Sequence, residues 1–579
     1  MRPKASRFVG TVALILFPTV LFSQSLRFQF PFLYRAWEEN RLCTVPLQQL
    51  RHRDVADYLQ TLRREGKGLL SVEEVGRSVE NRPIFLVKMG GGPVKILLWS
   101  QMHGDEPTAT AALLDVFYFL ENQAESDFVR PILQNTTVLA VPMLNPDGAE
   151  RFTRRNALGI DINRDARDLQ TPEGRVLRGL QQRFRPQFGF NLHDQNGRRT
   201  VGKTNRLVAI ALMAPPFDWE ENDNPVRIRA KKIVSVIYQA LSSYIYGHMA
   251  KYDAEYMPRA FGDSMQSWGV STVLIESGGW FENRDDFLQR MNFIALLTVF
   301  HAIATGDYQE ANPGLYEAIP RNDRVLYDLL IQDVQVIDGL GHPPYKADVA
   351  VNFGPRSLLP EERTGTIADI GDLDIFAAKD TIDGRGLFLA PGVVAVEQAV
   401  PPSPEALEKR LKEHLIRGET TVLFPEPVPE ALLSGANLWA NVGAFYPLSR
   451  LPGTARDSLS ILLARQSGVQ AAVWRGGTPP GSSVLGMHLF GAGALPAPLR
   501  WPSEAVPEVF TQTARLAEAF GLGPRGRVRV GQTADLVLLR KFREGFRPVR
   551  VLLRGYTVWR EGKGVAGRPR GQRLAPRKE

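Results

Sequence analysis

Ile96-Leu97-Leu98-Trp99-Ser100-Gln101-Met102-His103-Gly104-Asp105-Glu106-Pro107-Thr108 is the stretch on which the reading of this chain turns. The apolar run Ile96 to Trp99 has the pattern of a buried strand. Gly104 permits a tight turn, and Pro107 suits the first position of a helix that continues from Thr108 to Phe119. The turn therefore presents His103 and Glu106 at the end of a strand, where ligands bind in open α/β sheets. A histidine and a carboxylate three positions apart can be two ligands of one zinc ion. Alone the pair is a weak signal, and its meaning depends on what the rest of the chain brings to it.

Working outward, other strands end on polar residues in the same way. Thr137 to Leu144 reads as a strand that stops at Asn145-Pro146-Asp147-Gly148, four turn formers in a row. Phe188 to Asp194 is a short strand whose end carries His193, and Ser271 to Ile275 is a β-branched strand that ends on Glu276. Leu70 to Arg77 and Pro83 to Met89 read as two more strands. Helices are predicted over Leu47 to Arg64, Glu173 to Phe184, Ile228 to Tyr246 and Phe287 to Ile303. The alternation implies an α/β fold with a mixed, largely parallel sheet flanked by helices.

His103 and His193 as nitrogen ligands and Glu106 as a carboxylate ligand would leave a fourth zinc position for water. A second carboxylate, Glu276, can then take the water's proton. The segment from Arg154 to Asp165 supplies guanidinium groups suited to a carboxylate or a developing oxyanion. Each residue also has an ordinary reading. His193 can be a satisfied strand-end histidine, Glu276 a capping or ion-pair carboxylate, and Tyr252 and Tyr256 packing residues. Asp194 either supports a ligand or closes a turn, and His248 and His301, in or beside predicted helices, read as structural.

The ordered set resembles the zinc metallocarboxypeptidases of the carboxypeptidase A type over roughly residues 60 to 305. That family's H-x-x-E matches His103 and Glu106, and its downstream zinc histidine matches His193. Its N-P-D-G matches Asn145 to Gly148, its D-x-N-R matches Asp161 to Arg164, and its general-base glutamate matches Glu276. The resemblance implies one zinc per chain on His103, Glu106 and His193, with Glu276 as the base. It implies that Arg155 polarises the scissile carbonyl, with Arg154 the spare, and that Asn163 and Arg164 hold the substrate's terminal carboxylate. Arg259 is a further substrate contact, and Tyr252 or Tyr256 is the family's loop tyrosine. Asp165-Ala166 after Arg164 departs from the digestive-type pattern, which leaves the side-chain preference open. The expected substrate is a peptide or an acylated amino acid, through peptide hydrolysis or through amide hydrolysis of N-acyl amino acids or wall peptides. A binding protein that keeps the fold without turnover is the remaining alternative.

Composition bounds the rest. The 579 residues are 44% hydrophobic and 23% charged, which suits two or three globular domains. The net charge of +8 comes without an aromatic-interleaved basic stripe, so no nucleic-acid partner is expected. The single cysteine, Cys43, excludes an internal disulfide. Arg2, Lys4 and Arg7 ahead of the apolar run Val9 to Phe22, with Ser23-Gln24-Ser25 after it, read as a signal peptide over residues 1–24. A secreted or periplasmic protein follows, with no stable membrane span after cleavage and no other segment expected to cross a bilayer. The carboxypeptidase-like domain is expected over 25–310, and a β-rich region over 321–579. The short strands of that region, around Leu329 to Val351, Ile367 to Val394 and Gly531 to Lys563, resemble the small β-domain of amidohydrolases. That family's H-x-H pair is missing after Ala390-Pro391-Gly392, which implies a non-catalytic module.

Overall fold

The strands on either side of the His103 turn form the centre of one eight-stranded sheet in the computed structural model of the chain. Two compact units divide at Val325 and Leu326. The structure describes residues 28–252, 255–280 and 285–325 of the first unit. Of the second it describes 326–354, 357–359, 363–396, 401–416, 419–424, 441–444, 527–542, 545–554, 556–561 and 563–565. The expected signal peptide lies outside the described residues.

In the first unit the strands are β1 (Leu70–Arg77), β2 (Pro83–Met89), β3 (Val94–Ser100), β4 (Thr136–Val141), β5 (Phe188–Asp194), β6 (Arg199–Val201), β7 (Ile210–Met213), β8 (Met249–Lys251), β9 (Ser271–Ser277) and β10 (Asn322–Val325). The helices are α1 (Phe32–Glu39), α2 (His52–Glu65), α3 (Thr108–Asn122), α4 (Val129–Asn135), α5 (Pro146–Arg151), α6 (Pro172–Phe184), α7 (Pro225–Ile245), α8 (Phe261–Ser267), α9 (Asp285–Thr305) and α10 (Gly314–Ala318). The sheet order is β1-β2-β4-β3-β5-β9-β7-β8. Its centre, β4-β3-β5-β9, is parallel, and antiparallel pairs flank it at β1-β2, β2-β4 and β9-β7. This is the mixed, helix-flanked α/β sheet expected from the sequence. β3 leads through α3 to β4 on one side and pairs with β5 on the other, so the order reverses at β3. The crevice at such a reversal is the usual ligand site of an open α/β sheet.

Alternation of side chains divides the sheet's two faces. Ile96, Leu98, Phe188, Phe190, Leu192, Val273 and Ile275 join the larger core with residues of α3, α7 and α9. Leu97, Trp99, Leu139 and Val141 face the smaller core with Leu177 of α6 and Phe261 and Met265 of α8. His193 and Glu276 alternate with the first set, so they lie on the α6–α8 face.

Two elements differ from expectation. Asn145 to Gly148 is the start of α5 rather than a turn, because the Asn145 side chain accepts the Gly148 N–H and caps it. Asp286–Thr305, where no membrane-crossing segment was expected, is among the described residues the one helix long and apolar enough to cross a membrane by length and composition; 89% of its window is buried in the protein. It packs against α1, α3, α4 and α7, so its apolarity matches a helix surrounded by core.

The N-terminal segment is pinned to that helix by one buried carboxylate. Asp115 of α3 accepts hydrogen bonds from Trp37 Nε1 (2.8 Å), Leu42 N (2.8 Å), Cys43 N (2.9 Å) and Gln289 Nε2 of α9 (2.7 Å). Asp115→Ala would leave these buried donors without an acceptor. We expect it to lower the unfolding free energy by about 3–5 kcal/mol in urea titrations at neutral pH.

In the second unit, a nine-stranded sheet combines strands from residues 327–391 with strands from residues 536–565. It runs in the order Thr364–Gly371, Tyr345–Gly354, Tyr327–Val336, Leu387–Pro391, Leu536–Phe542, Gly545–Leu553, Tyr556–Arg560, Gly564–Val565, with Ala378–Asp383 also pairing Tyr327–Val336. The two groups join where Leu387–Pro391 pairs antiparallel with Leu536–Phe542. Ala390 and Pro391 end the former strand, and the chain passes through Gly392 into a separate three-stranded parallel sheet.

Candidate metal centre

The His103 turn is held by backbone contact. Gln101 sits in the left-handed region (φ 48°) as the chain leaves β3, and its side-chain amide donates to Gly104 O at 3.0 Å. A Cβ on Gly104 would lie 2.0 Å from the Gly148 carbonyl carbon. Residue 104 is therefore glycine because α5 approaches it, beyond any need of the turn itself. Asn145 Nδ2 also donates to Met102 O (3.2 Å). Asp147 accepts from Ser78 Oγ (2.7 Å) and Glu80 N (2.9 Å), which ties α5 to the β1–β2 turn.

At this turn His103, Glu106 and His193 converge. One donor atom from each lies within 4.8 Å of the others, and all three residues are buried. Glu106 Oε1 is 2.9 Å from His103 Nδ1, Glu106 Oε2 is 2.6 Å from His193 Nδ1, and the two Nδ1 atoms are 3.1 Å apart. Glu276 is the register partner of His193 on the neighbouring parallel strand and is 7% exposed. Adjacent strands lie about 4.8 Å apart, which puts both residues at one level of the sheet.

Carboxylates dominate the field here. Burial pushes the His103 imidazole down, but Glu106 and Asp161 outweigh it and raise it to about 9. Burial raises Glu106, and the two histidines outweigh that and hold it well below the usual carboxylate range. Burial, helped by the charges of His103 and Arg154, lowers His193 despite Glu106. Two imidazole nitrogens and a carboxylate aimed at one buried point, under a potential that favours positive charge, fit a divalent zinc ion.

Asp161, for which the sequence reading had no separate role, bonds the far side of His103. Its Oδ1 is 3.1 Å from His103 Nε2; in the neutral ring that would bind zinc, Asp161 would accept the Nε2 proton and leave the Nδ1 lone pair to the cluster. Asp161 Oδ1 also accepts the Asn163 N–H (2.9 Å). Its position two residues before Asn163 in D-x-N-R was the available signal. Asp194 accepts from Thr108 Oγ1 (2.8 Å), while its own N–H donates to Glu106 Oε2 (3.3 Å). It thus supports the carboxylate as well as closing the strand end.

The two arginines of the loop point apart. Arg154, expected to be the spare, reaches the cluster, with NH1 3.3 Å from Glu106 and NH2 3.0 Å from Asp161. Its side chain is 44% exposed, so it also reaches open space. Arg155 is exposed and donates instead to Gly159 O at 2.9 Å, within its own loop. Neighbouring residues in this turn point in different directions, and the backbone that decides between them is set by Asn156. Its side chain accepts from Leu158 N and Ile160 N and donates to Glu173 of α6.

Asn163, Arg164 and Arg259 form one group. Asn163 Oδ1 accepts the Phe261 N–H (2.9 Å), and Arg259 Nε donates to Arg164 O (3.1 Å). Tyr252 packs beside Val201, Val208, Ala211 and Ala250. Burial, then the charges of Glu276 and Glu106, push its hydroxyl up to about 12, so it is neutral at physiological pH. Tyr256 packs edge-on against Trp219, with ring centroids 5.1 Å apart. His248 and His301 bond the backbone carbonyls of Leu207 and Phe128, the structural roles expected of them.

The zinc carboxypeptidase family, Peptidase_M14, matches residues 55–200. The match to a zinc carboxypeptidase domain thus lies within the N-terminal half. Similar proteins include the carboxypeptidase N catalytic chain of Homo sapiens, 27% identical over 148 residues, which are 22% of this chain and 32% of that protein. A probable carboxypeptidase 2 of Trichophyton verrucosum (strain HKI 0517) is 29% identical over 119 residues, 20% of this chain and 23% of that one. The chain thus spans about a third or less of these relatives' length. Solved structures with similarity include a metallo-carboxypeptidase from Burkholderia cenocepacia (18% identity, TM-score 0.35, 43% of this chain and 68% of that one). Another is carboxypeptidase A from Helicoverpa armigera (16% identity, TM-score 0.35, 48% and 80%). Within the carboxypeptidase domain, the departure at Asp165 is structural. Its carboxylate accepts from Gln170 N, Thr171 N and Thr171 Oγ1, all at 2.7 Å.

Asp161→Asn keeps the oxygen that caps Asn163 but removes the charge on the far side of His103. The expected result is zinc bound about 10–100-fold more weakly, measured by competition with a chromophoric chelator. Unchanged affinity would remove Asp161 from the metal centre.

Proposed function

We propose that the first unit is a zinc-dependent carboxypeptidase that hydrolyses the C-terminal peptide bond of peptides. The convergence of His103, Glu106 and His193 on one buried point, with Glu276 at the same level on the next strand, carries the reading. A zinc ion there would supply an activated water and a polarised carbonyl. Glu276 takes the proton of the attacking water and returns it to the leaving amine. Arg154, half exposed above the cluster, stabilises the developing oxyanion. Asn163 and Arg164, with Arg259 beside them, hold the substrate's terminal carboxylate by charge-assisted hydrogen bonds, so the enzyme acts at a chain end.

The apolar N-terminal run with its basic residues supports an exported protein. The second unit is proposed to be a non-catalytic module. Among the described residues, the one group of His, Cys, Asp or Glu with metal-ligand geometry is in the first unit.

Two experiments test these assignments. Glu276→Gln is expected to retain zinc while losing about 10²–10⁴-fold in kcat on short peptides, with products read by mass. Retained turnover in that variant would overturn the general-base assignment. Arg154→Ala is expected to lose about 10²–10³-fold in kcat, whereas Arg155→Ala stays near the parent rate. The reverse order would restore Arg155 to the role first expected of it.

A further inference from the structure

At the end of the sheet away from the metal centre, a cleft of about 660 Å³ opens where the ends of α6 and α8 meet α7. The strands fix its place. Gln187 precedes β5, and Ser271, which starts β9, donates its N–H to Gln187 O (3.0 Å). The proposed metal ligand His193 stands near the other end of β5. A strand rises about 3.3 Å per residue, so roughly 15–20 Å separate the cleft from the metal centre. A cleft of this volume holds a small organic ligand.

Its polar lining consists of donors. Arg185 comes from the end of α6 and Arg229 from α7, with Gln181, Gln187, Pro186 and Trp268 between them, and no carboxylate lines the cleft. Arg229 is anchored by its Nε, which donates to Ser271 Oγ (3.0 Å) and leaves the two terminal amines over. Neither guanidinium has a carboxylate partner among the described residues. The two glutamine amides are oriented by their oxygens. Gln187 Oε1 accepts the Lys95 N–H (2.8 Å), and Gln181 Oε1 accepts from Arg178 NH1 (2.7 Å). An N–H can meet only the oxygen of an amide, so the NH2 end is the one left over in both. Gln181 is only 9% exposed. Buried donors are nearly always paired, and what would pair this one is an acceptor entering the cleft. Arg178 also steadies the aromatic wall, since its guanidinium lies 3.7 Å from the centroid of the Trp268 ring.

The geometry points to a second ligand site in this cleft, for a small organic phosphate or sulfate ester. Arg185 and Arg229 grip the oxyanion, and the apolar body of the ester lies against Pro186 and Trp268. A guanidinium fork pairs with such a group through two N–H···O bonds at once. Two forks and two amides are four donor groups. A tetrahedral oxyanion has three terminal oxygens to share among them, whereas a planar carboxylate has two. The site uses no residue of the metal centre and does not depend on the carboxypeptidase reading.

Calorimetry on the zinc-loaded full chain tests this with phenyl phosphate and phenyl sulfate, and with phenol as the uncharged counterpart. At least one ester is expected to saturate a site that Arg185→Asn and Arg229→Gln each weaken about tenfold or more, with the unfolding midpoint unchanged. Asparagine suits the left-handed backbone at residue 185 (φ 48°). The control is Arg183→Gln, which removes a cation outside the cleft that is paired with Glu73 (2.6 Å); the affinity should stay at the parent value. Whichever ester binds more tightly identifies the oxyanion, and either order supports the site. Four results overturn it: no saturation by either ester, phenol bound as tightly as the esters, an affinity unmoved by both cleft variants (as for an ester held by the zinc alone), or equal weakening in Arg183→Gln. None of them touches the carboxypeptidase reading, which peptide release tests separately.

Discussion

The close approach of two backbones, at Gly104 and Gly148, is the constraint on which the centre depends. Neither residue has room for a Cβ: one on Gly104 would meet the Gly148 carbonyl carbon, and one on Gly148 would lie 2.8 Å from Arg155 O. This contact joins three pieces of chain remote in sequence: the turn that carries His103 and Glu106, the start of α5, and the loop that carries Arg154 and Asp161. Hydrogen bonds from Asn145 then set their register. A ligand set needs its donors placed to within a fraction of an ångström. Here the precision comes from main chain against main chain, which has no rotamers to lose.

Most of the sheet was legible because its strands are apolar runs that stop abruptly at polar residues. β1, β2 and β5 have the bounds read from the sequence, and the metal-facing residues stand where those runs end. What could not be read is direction within irregular backbone. Arg154 and Arg155 are chemically equivalent neighbours. Only the folding of their loop around Asn156 turns the first toward Glu106 and the second toward Gly159 O. Asp161 is a similar case, since its part depends on which ring nitrogen of His103 it meets. α1 and β7 went unread because each is short and its burial is decided by distant partners. α9 was read as a helix, and its apolar composition, which would also suit lipid, is that of a helix enclosed by core.

The second unit shows how little a strand pattern says about chemistry. Its two groups of strands, separated by more than a hundred residues in sequence, pair into one sheet through Leu387–Pro391 and Leu536–Phe542. The likeness to an amidohydrolase β-domain rests on those strands alone, and a fold carries no reaction without the residues of a site.

The Asp115 clasp has a meaning for how far the chain can be shortened. It gathers Trp37, Leu42 and Cys43 onto α3, the helix that begins just after Glu106, and onto Gln289 of α9. Trp37, Leu42 and Cys43 are therefore integral to the folded first unit, while the apolar run Val9 to Phe22 lies outside the described residues. A truncation that reached Trp37 would loosen the helix behind the proposed metal ligands. The clasp thus acts as a ruler that fixes how far the N-terminus can be trimmed.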